Sequence, residues 1–201
     1  IAWLSVVLVM SFRARTVGTE RVLSGRNSFN PSLTTARAAQ EGLPDIQAPP
    51  FAHGAAGNHM SWWKQVPFLS QRYTCVIYDQ RGFCQSHDLP DGPGRDSFVE
   101  DLTALLDHLG IEQTFVIGHS MGGFTALGFT LAHPERVKGT VFSSTAAGIS
   151  DPAIANAQKE HEEQTGVSKL DLVERVVGPV FREAHPEETY LFAQSARLNP
   201  P

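Results

Sequence analysis

The stretch "TFVIGHSMGGFTALGF", residues 114–129, joins an apolar run to a glycine-rich turn and then to apolar residues of a different spacing. Its first residues are mostly β-branched or aromatic and favour a buried strand. After Ser120 the apolar residues recur at intervals of three and four, which is typical of a helix. The stretch therefore predicts a strand that enters a helix through a sharp turn at Ser120.

The same alternation extends in both directions along the chain. Strands are predicted at "YTCVIYD" (73–79) and "VKGTVFSS" (137–144), and a helix follows Ser97, which has capping-box spacing to Glu100. Alternating strands and helices predict an α/β fold with a mostly parallel sheet and helices on both faces. Only helical patterns follow, beginning at Asp151.

These patterns predict three segments. Residues 1–47 form a leader or poorly ordered segment, residues 48–148 the α/β core, and residues 149–201 a helical cap or lid.

The apolar stretch "IAWLSVVLVM" (1–10) has about half the length that spans a bilayer. It is interpreted as the remnant of a secretory segment or as a buried strand. Because the chain begins at Ile1 and not Met, we expect a processed, trimmed or partial chain.

Composition limits the class of protein and its partners. A hydrophobic content of 41% and a charged content of 18% indicate a globular protein. A net charge of -5 without a basic block argues against a nucleic-acid partner, and no membrane partner is expected. Two cysteines do not make a disulfide framework, so a cytoplasmic location is expected unless the N-terminal segment directs secretion. The sequence does not predict an oligomeric state.

Neither a cofactor nor a metal is predicted. Cys75 and Cys84 lie apart in the sequence and have no close histidine pairs beside them. The sequence also contains no phosphate loop and no dinucleotide fingerprint.

Gly118, Ser120 and Gly122 form a Gly-x-Ser-x-Gly motif between a predicted strand and a predicted helix, which is the context of a nucleophile elbow. Ser120 is the predicted nucleophile and must adopt a strained backbone conformation. The two glycines avoid side chains that would clash across the turn. The backbone N–H of Met121, at the start of the helix, would face a developing oxyanion. The alternative is an ordinary serine in a glycine turn.

A second loop, "HGAAG" (53–57), is predicted at the same edge of the sheet. We expect the N–H of Ala55 to be the second oxyanion donor. His53, Gly54 and His119 would flank the site, with the histidines packing or orienting and not acting as the base. The strand before this loop is expected to be short, because the sequence leading into it is broken by prolines.

The motifs "HGAAG", "YDQRGFCQS", "GHSMGG" and "HPERV" resemble those of the α/β-hydrolase superfamily. They are most similar to its small-molecule esterase, lactonase and C–C hydrolase branch, over residues 51–201. The resemblance implies a partial α/β-hydrolase fold with a helical cap. It also implies a serine hydrolase that acts on a small ester, lactone or activated carbonyl substrate through an acyl-enzyme.

The chain departs from the family pattern at several places. Cys84 stands where the family has a glycine, which matters if the loop needs a positive φ at that position. None of the eight histidines is predicted to be the catalytic base, and no strand after residue 149 is available to carry the acid. We therefore expect the chain to be truncated after the cap, with an exposed parallel edge and an uncovered apolar face that promote instability or association.

The missing acid and base leave two further hypotheses open. The chain is then either a truncated or degenerate, catalytically impaired hydrolase, or a non-catalytic module whose cap pocket binds an apolar ligand.

Overall fold

The fold is a six-stranded sheet with helices on both faces. The computed structural model describes residues 15–21, 32–37 and 49–200. The strands are β1 (Arg15–Arg21), β2 (Ser32–Arg37), β3 (Pro50–Ala52), β4 (Cys75–Tyr78), β5 (Thr114–His119) and β6 (Val137–Ser143). Their order is β1-β2-β4-β3-β5-β6. The last four run parallel, whereas β1 and β2 are antiparallel to their neighbours. The predicted α/β class with a mostly parallel sheet is confirmed.

Helices connect the parallel strands and follow the last of them. The α-helices are α1 (Val66–Leu69), α2 (Phe98–His108), α3 (Gly122–Ala132), α4 (Pro152–Thr165), α5 (Leu172–Val176), α6 (Pro179–Ala184) and α7 (Pro186–Ala196). Short 3₁₀ helices lie at His59–Trp62, Gly94–Ser97, Pro134–Arg136 and Val167–Lys169. No strand separates α4 to α7, as the helical patterns of this region predict.

The two faces of the sheet carry separate apolar clusters. Successive residues of a strand point to opposite faces, so Phe51 and Ala52 of β3 belong to different clusters. The larger cluster lies under α2 and α3, and its members include Val76, Leu102, Leu105, Leu106, Val116, Ala126 and Phe129. The smaller one contains Phe51, Trp62, Val66 and Cys75. Helices thus cover both faces of the central strands, as predicted.

The segment 1–47 contains two strands that the sequence pattern did not predict. β1 pairs with β2, and β2 continues the sheet by pairing with β4, with Leu33 opposite Tyr78. Both strands are short and rich in threonine and charged residues. Periodicity does not distinguish this composition from a surface loop, because few apolar residues mark an inner face. The apolar stretch 1–10 lies outside the described residues.

The sequence predicted where α2 and α4 begin, and the structure confirms only the second of these predictions in detail. The capping box at Ser97 is wrong, because a 3₁₀ turn runs directly into α2 and leaves Ser97 at φ -94° and ψ 2°, without a side-chain cap. A capping residue needs extended backbone to reach the free N–H groups. In contrast, α4 begins at Pro152 directly after Asp151, as predicted, and the Asp151 side chain caps it by accepting a hydrogen bond from the N–H of Ala153.

β6 lies at one end of the sheet and is poorly covered. Val141 is 51% exposed and Phe142 is 46% exposed. Because neighbouring residues point to opposite faces, both faces of the strand are open at this point. The predicted exposed edge is confirmed.

Within the described ranges, no helix is long and apolar enough to cross a bilayer.

Candidate active site

Ser120 has the strained backbone that the elbow motif predicts. It follows β5 directly and has φ +49°, in the left-handed region that residues with a Cβ rarely adopt. Met121 is the N-cap of α3, so the chain passes from strand to helix in two residues. The Ser120 N–H donates to the Ser143 carbonyl at 3.0 Å, which ties the turn to β6.

The two glycines of the motif allow the close packing of this turn. A Cβ on Gly118 would lie 2.5 Å from the carbonyl oxygen of Gly122. A Cβ on Gly122 would collide with the carbonyl of Ala52 at the end of β3. Since β3 and β5 are hydrogen-bonded neighbours, any side chain here would push α3 away from the sheet. The steric reason for both glycines is therefore confirmed.

Ala55, Ser120 and Met121 line one cavity of about 590 Å³. Neither the Ala55 nor the Met121 N–H has a hydrogen-bond partner among the described residues. Two unpaired N–H groups beside a hydroxyl are the elements of an oxyanion hole. The structure thus brings together the three residues that the sequence placed in the site. The remaining lining comes mainly from Arg95, Phe124, residues 144–151, and Ile154, Ala155 and Gln158 of α4.

His53 is buried and holds the loop that carries Ala55. Its Nε2 accepts a hydrogen bond from the Gln80 N–H at 3.0 Å, so Nδ1 carries the proton and lies 2.9 Å from the Gly54 carbonyl. The side-chain amide of Gln80 in turn donates a hydrogen bond to the His53 carbonyl at 2.8 Å. Burial lowers the pKa of His53 to about 4. The residue is thus neutral, with both ring nitrogens occupied, and orients the loop.

His119 and Gly54 pack beside Ser120. A Cβ on Gly54 would lie 3.1 Å from the Cβ of Ser120 and 3.2 Å from the His119 ring. The half-buried His119 ring contacts Trp62 edge-on at 6.3 Å. Burial lowers the pKa of His119, and a hydrogen bond to the Ser143 backbone opposes this. Both residues therefore shape the wall of the turn.

Within residues 49–200, no histidine or carboxylate is hydrogen-bonded to the Ser120 hydroxyl. Several histidines have other partners: His59 lies 2.8 Å from Asp79, His133 lies 3.1 Å from Thr103, and His185 lies 3.6 Å from Glu188. The sequence did not identify a catalytic base or acid, and none of the described residues serves as one at Ser120.

Two features of the site went beyond what the sequence motifs indicated. Arg95, from the 3₁₀ turn before α2, lines the cavity and stacks its guanidinium 5.3 Å from the ring centroid of Phe124. The helices after β6 also bond to the loop between β3 and α1, because the buried Asn58 side chain donates to the Ser195 carbonyl at 2.8 Å. Both contacts join residues distant in sequence, and no local motif marks them.

Cys84 adopts φ +45°, which confirms that this position requires a left-handed backbone. Burial, followed by the Asp79 carboxylate, raises the pKa of Cys84 to about 11. At neutral pH the free thiol is protonated, so it is a poor nucleophile.

Residues 51–182 match the family described as the alpha/beta hydrolase fold. The chain belongs to this family. It is 32% identical over 149 residues to 3-oxoadipate enol-lactonase 2 of Acinetobacter baylyi, which covers 73% of the chain and 55% of that enzyme. It is 41% identical over 95 residues to epoxide hydrolase 2 of Siraitia grosvenorii, covering 45% of the chain and 30% of that enzyme.

Solved structures of the α/β-hydrolase fold agree with this assignment. The enol-lactonase of Burkholderia xenovorans superposes with a TM-score of 0.68 at 20% identity, covering 88% of the chain and 67% of that structure. At this identity the likeness establishes the fold. The chain spans between about a third and about a half of the length of the curated relatives it matches.

Proposed function

We propose that this α/β hydrolase is of the serine type and acts on small esters, lactones or activated carbonyl compounds through an acyl-enzyme. The observation that supports this most directly is Ser120 on a left-handed elbow, in one cavity with the unpaired N–H groups of Ala55 and Met121. The relatives named above are hydrolases, which supports hydrolase activity in general, and the enol-lactonase among them supports a lactone as one substrate class.

In this mechanism the Ser120 Oγ attacks the carbonyl carbon of the substrate. The carbonyl oxygen becomes an oxyanion, which accepts hydrogen bonds from the N–H groups of Ala55 and Met121. Each such donor contributes about 2.7–4 kcal/mol to transition-state stabilisation in serine hydrolases. The intermediate collapses and the alcohol or enol leaves with the proton that Ser120 lost. Water then hydrolyses the acyl-enzyme, which releases the acid and restores the Ser120 hydroxyl.

The serine hydroxyl must lose its proton for this attack to be fast. Since the described residues hold no base at Ser120, we expect ester turnover by this chain close to background. Loss of one member of a catalytic triad costs about 10⁴-fold or more in rate. For this chain we therefore propose the catalytically impaired form of the serine hydrolase.

A thiol at position 120 tests the site without a base, because cysteine is intrinsically more nucleophilic than serine. Ser120→Cys is treated with 4-nitrophenyl acetate, and the rate of acylation is followed by mass spectrometry. The matched control is Ser144→Cys, which lines the same cavity and also has a positive φ, +48°. The parent chain measures the background from Cys75 and Cys84, both of which are buried.

We expect acylation at position 120 to be about 10²-fold faster than at position 144, since the proposal assigns both N–H donors to an oxyanion that forms at position 120. Equal rates in two folded variants would contradict the proposal. A saturable apolar ligand that raises the melting temperature without being consumed, combined with equal rates, would favour the non-catalytic binding module.

Arg95 indicates the kind of substrate. Arg95 lines the cavity, its guanidinium lies over the ring of Phe124, and it has no carboxylate partner among the described residues, whereas Asp151 already caps α4. We infer that the substrate carries a carboxylate away from the reacting carbonyl. In the Ser120→Cys background, the mono-4-nitrophenyl ester of adipate should acylate position 120 faster than the ester of heptanoate, because the adipate chain is too long to expel nitrophenolate through a cyclic anhydride. Arg95→Met should abolish the preference and Arg95→Lys should keep part of it; an unchanged preference in Arg95→Met would contradict this inference.

A further inference from the structure

We propose that His59, Asp79 and Cys84 form a binding site for a transition-metal dication such as Zn²⁺. The three residues lie outside the Ser120 cavity lining and come from two separate segments, the start of the first 3₁₀ helix and the loop after β4. His59 follows β3 by way of the "HGAAG" loop, while Asp79 and Cys84 belong to the loop after β4.

The ligand atoms already lie together. One atom from each side chain lies within 4.8 Å of the others. The Nδ1 of His59 is 2.8 Å from the Oδ1 of Asp79. Two ligands on one tetrahedral zinc lie about 3.4–3.6 Å apart, given usual zinc–ligand bond lengths. Shifts on the order of 1 Å would therefore place all three around one ion.

The donor set suits zinc in type and in charge. Imidazole, carboxylate and thiolate are the three protein ligands that zinc takes most often. Binding would remove the proton from the Cys84 thiol and move the His59 ring proton from Nδ1 to Nε2. The dication would then face one thiolate, one carboxylate and one neutral imidazole, so the site carries no net charge. Water would complete the coordination.

The loops hold the ligands in place before any ion binds. Asp79 is fully buried at its side chain and accepts hydrogen bonds from the backbone N–H of His59 at 2.8 Å and of Gln85 at 3.3 Å. Cys84 keeps a left-handed φ of +45°, at a conformational cost that glycine would avoid. His59 is 16% exposed at its side chain, which leaves a path from solvent.

A metal here would fix the loop that carries Ala55 to the loop after β4. The two strands before these loops, β3 and β4, are hydrogen-bonded neighbours. The ion would act on protein stability and on the order of these two loops, and its binding would not need the Ser120 hydroxyl.

The test uses the full chain, freed of metal by a chelator and titrated with Co²⁺. A thiolate ligand gives a cobalt charge-transfer band in the near ultraviolet, and Zn²⁺ should displace it. At a hundredfold excess over its dissociation constant, Zn²⁺ should raise the melting temperature by roughly 5–10 °C.

Three variants locate the site. Cys84→Gly removes the thiolate and suits the left-handed backbone, so it should fold, lose the band and bind zinc at least about tenfold more weakly. His59→Asn should weaken binding similarly. Cys75→Ala removes the other thiol, which is buried elsewhere, and should keep the band. Ser120→Ala should bind metal unchanged, which separates this proposal from the hydrolase proposal.

Several outcomes would overturn the proposal. These are a folded chain without a thiolate band, a band that survives in Cys84→Gly, a band that is lost in Cys75→Ala, or full affinity in His59→Asn.

Discussion

Ser120 has a backbone conformation that costs free energy for any residue with a Cβ. Its φ of +49° places the hydroxyl on the cavity between strand and helix. Strain of this kind is stored at functional sites because the surrounding structure enforces it. Here the hydrogen bond from the Ser120 N–H to the Ser143 carbonyl holds the turn, and Gly118 and Gly122 permit its close packing.

This strain predicts an unusual order of stabilities. Ser120→Gly should be more stable than Ser120→Ala by about 1 kcal/mol, because glycine tolerates the left-handed region. Urea unfolding of the two variants measures the difference. The matched pair is Ser150→Gly and Ser150→Ala, since Ser150 lies outside the left-handed region, and there alanine should be at least as stable. If Ser120→Ala were as stable as Ser120→Gly, position 120 would not be under backbone strain.

His53 gives the protein a pH-dependent stability. Burial lowers the pKa of His53 from 6.5 to about 4 in the folded state. Between these values the unfolded chain binds a proton that the folded chain does not, so stability falls as pH falls. We expect a loss of about 2 kcal/mol from this residue between pH 7 and pH 5.

Urea unfolding at the two pH values tests this, with His53→Gln as the variant. His53→Gln should remove that part of the pH dependence. The control is His161→Gln, which removes an exposed imidazole on α4 and should leave the pH dependence in place. A slope unchanged in His53→Gln would show that the pH dependence comes from other groups.

At the scale of elements, the loop after β4 is fixed to α2 by a buried ion pair. Arg81 lies 2.5 Å and 2.8 Å from the two carboxylate oxygens of Asp101, and both residues are less than a tenth exposed. Arg81 also bonds to Asp88 at 3.3 Å. This arrangement holds the start of α2, and hence the adjacent Arg95, beside the cavity.

Arg81→Met should therefore destabilise the fold by about 3–5 kcal/mol, because it leaves the Asp101 charge buried without a partner. The control is Lys159→Ala, which breaks an exposed pair with Glu163 and should cost less than about 1 kcal/mol. Equal losses in the two variants, measured by urea unfolding, would contradict this account. Adding Asp101→Leu to Arg81→Met should restore part of the stability.

For the whole molecule, the open β6 edge predicts concentration-dependent association. Val141 and Phe142 expose apolar surface on both faces of this strand, and an uncovered edge with such surface pairs with other chains. Val141→Lys should lower the average mass seen by sedimentation at a given concentration. Val180→Lys, at an 80% exposed site in α6, is the control and should not. If both variants associate like the parent chain, β6 does not carry the contact.

The local parts of the fold and site were accessible from sequence. Strands β4, β5 and β6, helix α2 and the elbow each follow from side-chain spacing within a few residues. The expected shortness of β3 is confirmed as well, since it extends over three residues only. β1 and β2 were missed because their few apolar residues give no period, and the Ser97 cap failed because a 3₁₀ turn precedes the helix.

The sequence alone determined that Ser120 sits on an elbow, because the glycines of "GHSMGG" and the change of period around them are local constraints on one turn. Only the tertiary structure decided what surrounds it. The order β4-β3-β5 brings the loops after three separate strands to one edge. Arg95 thereby reaches the Ser120 cavity, and His59 reaches Asp79 and Cys84, which lie 20 and 25 positions further along the chain. Such contacts depend on how strands pair, which no spacing within a segment encodes.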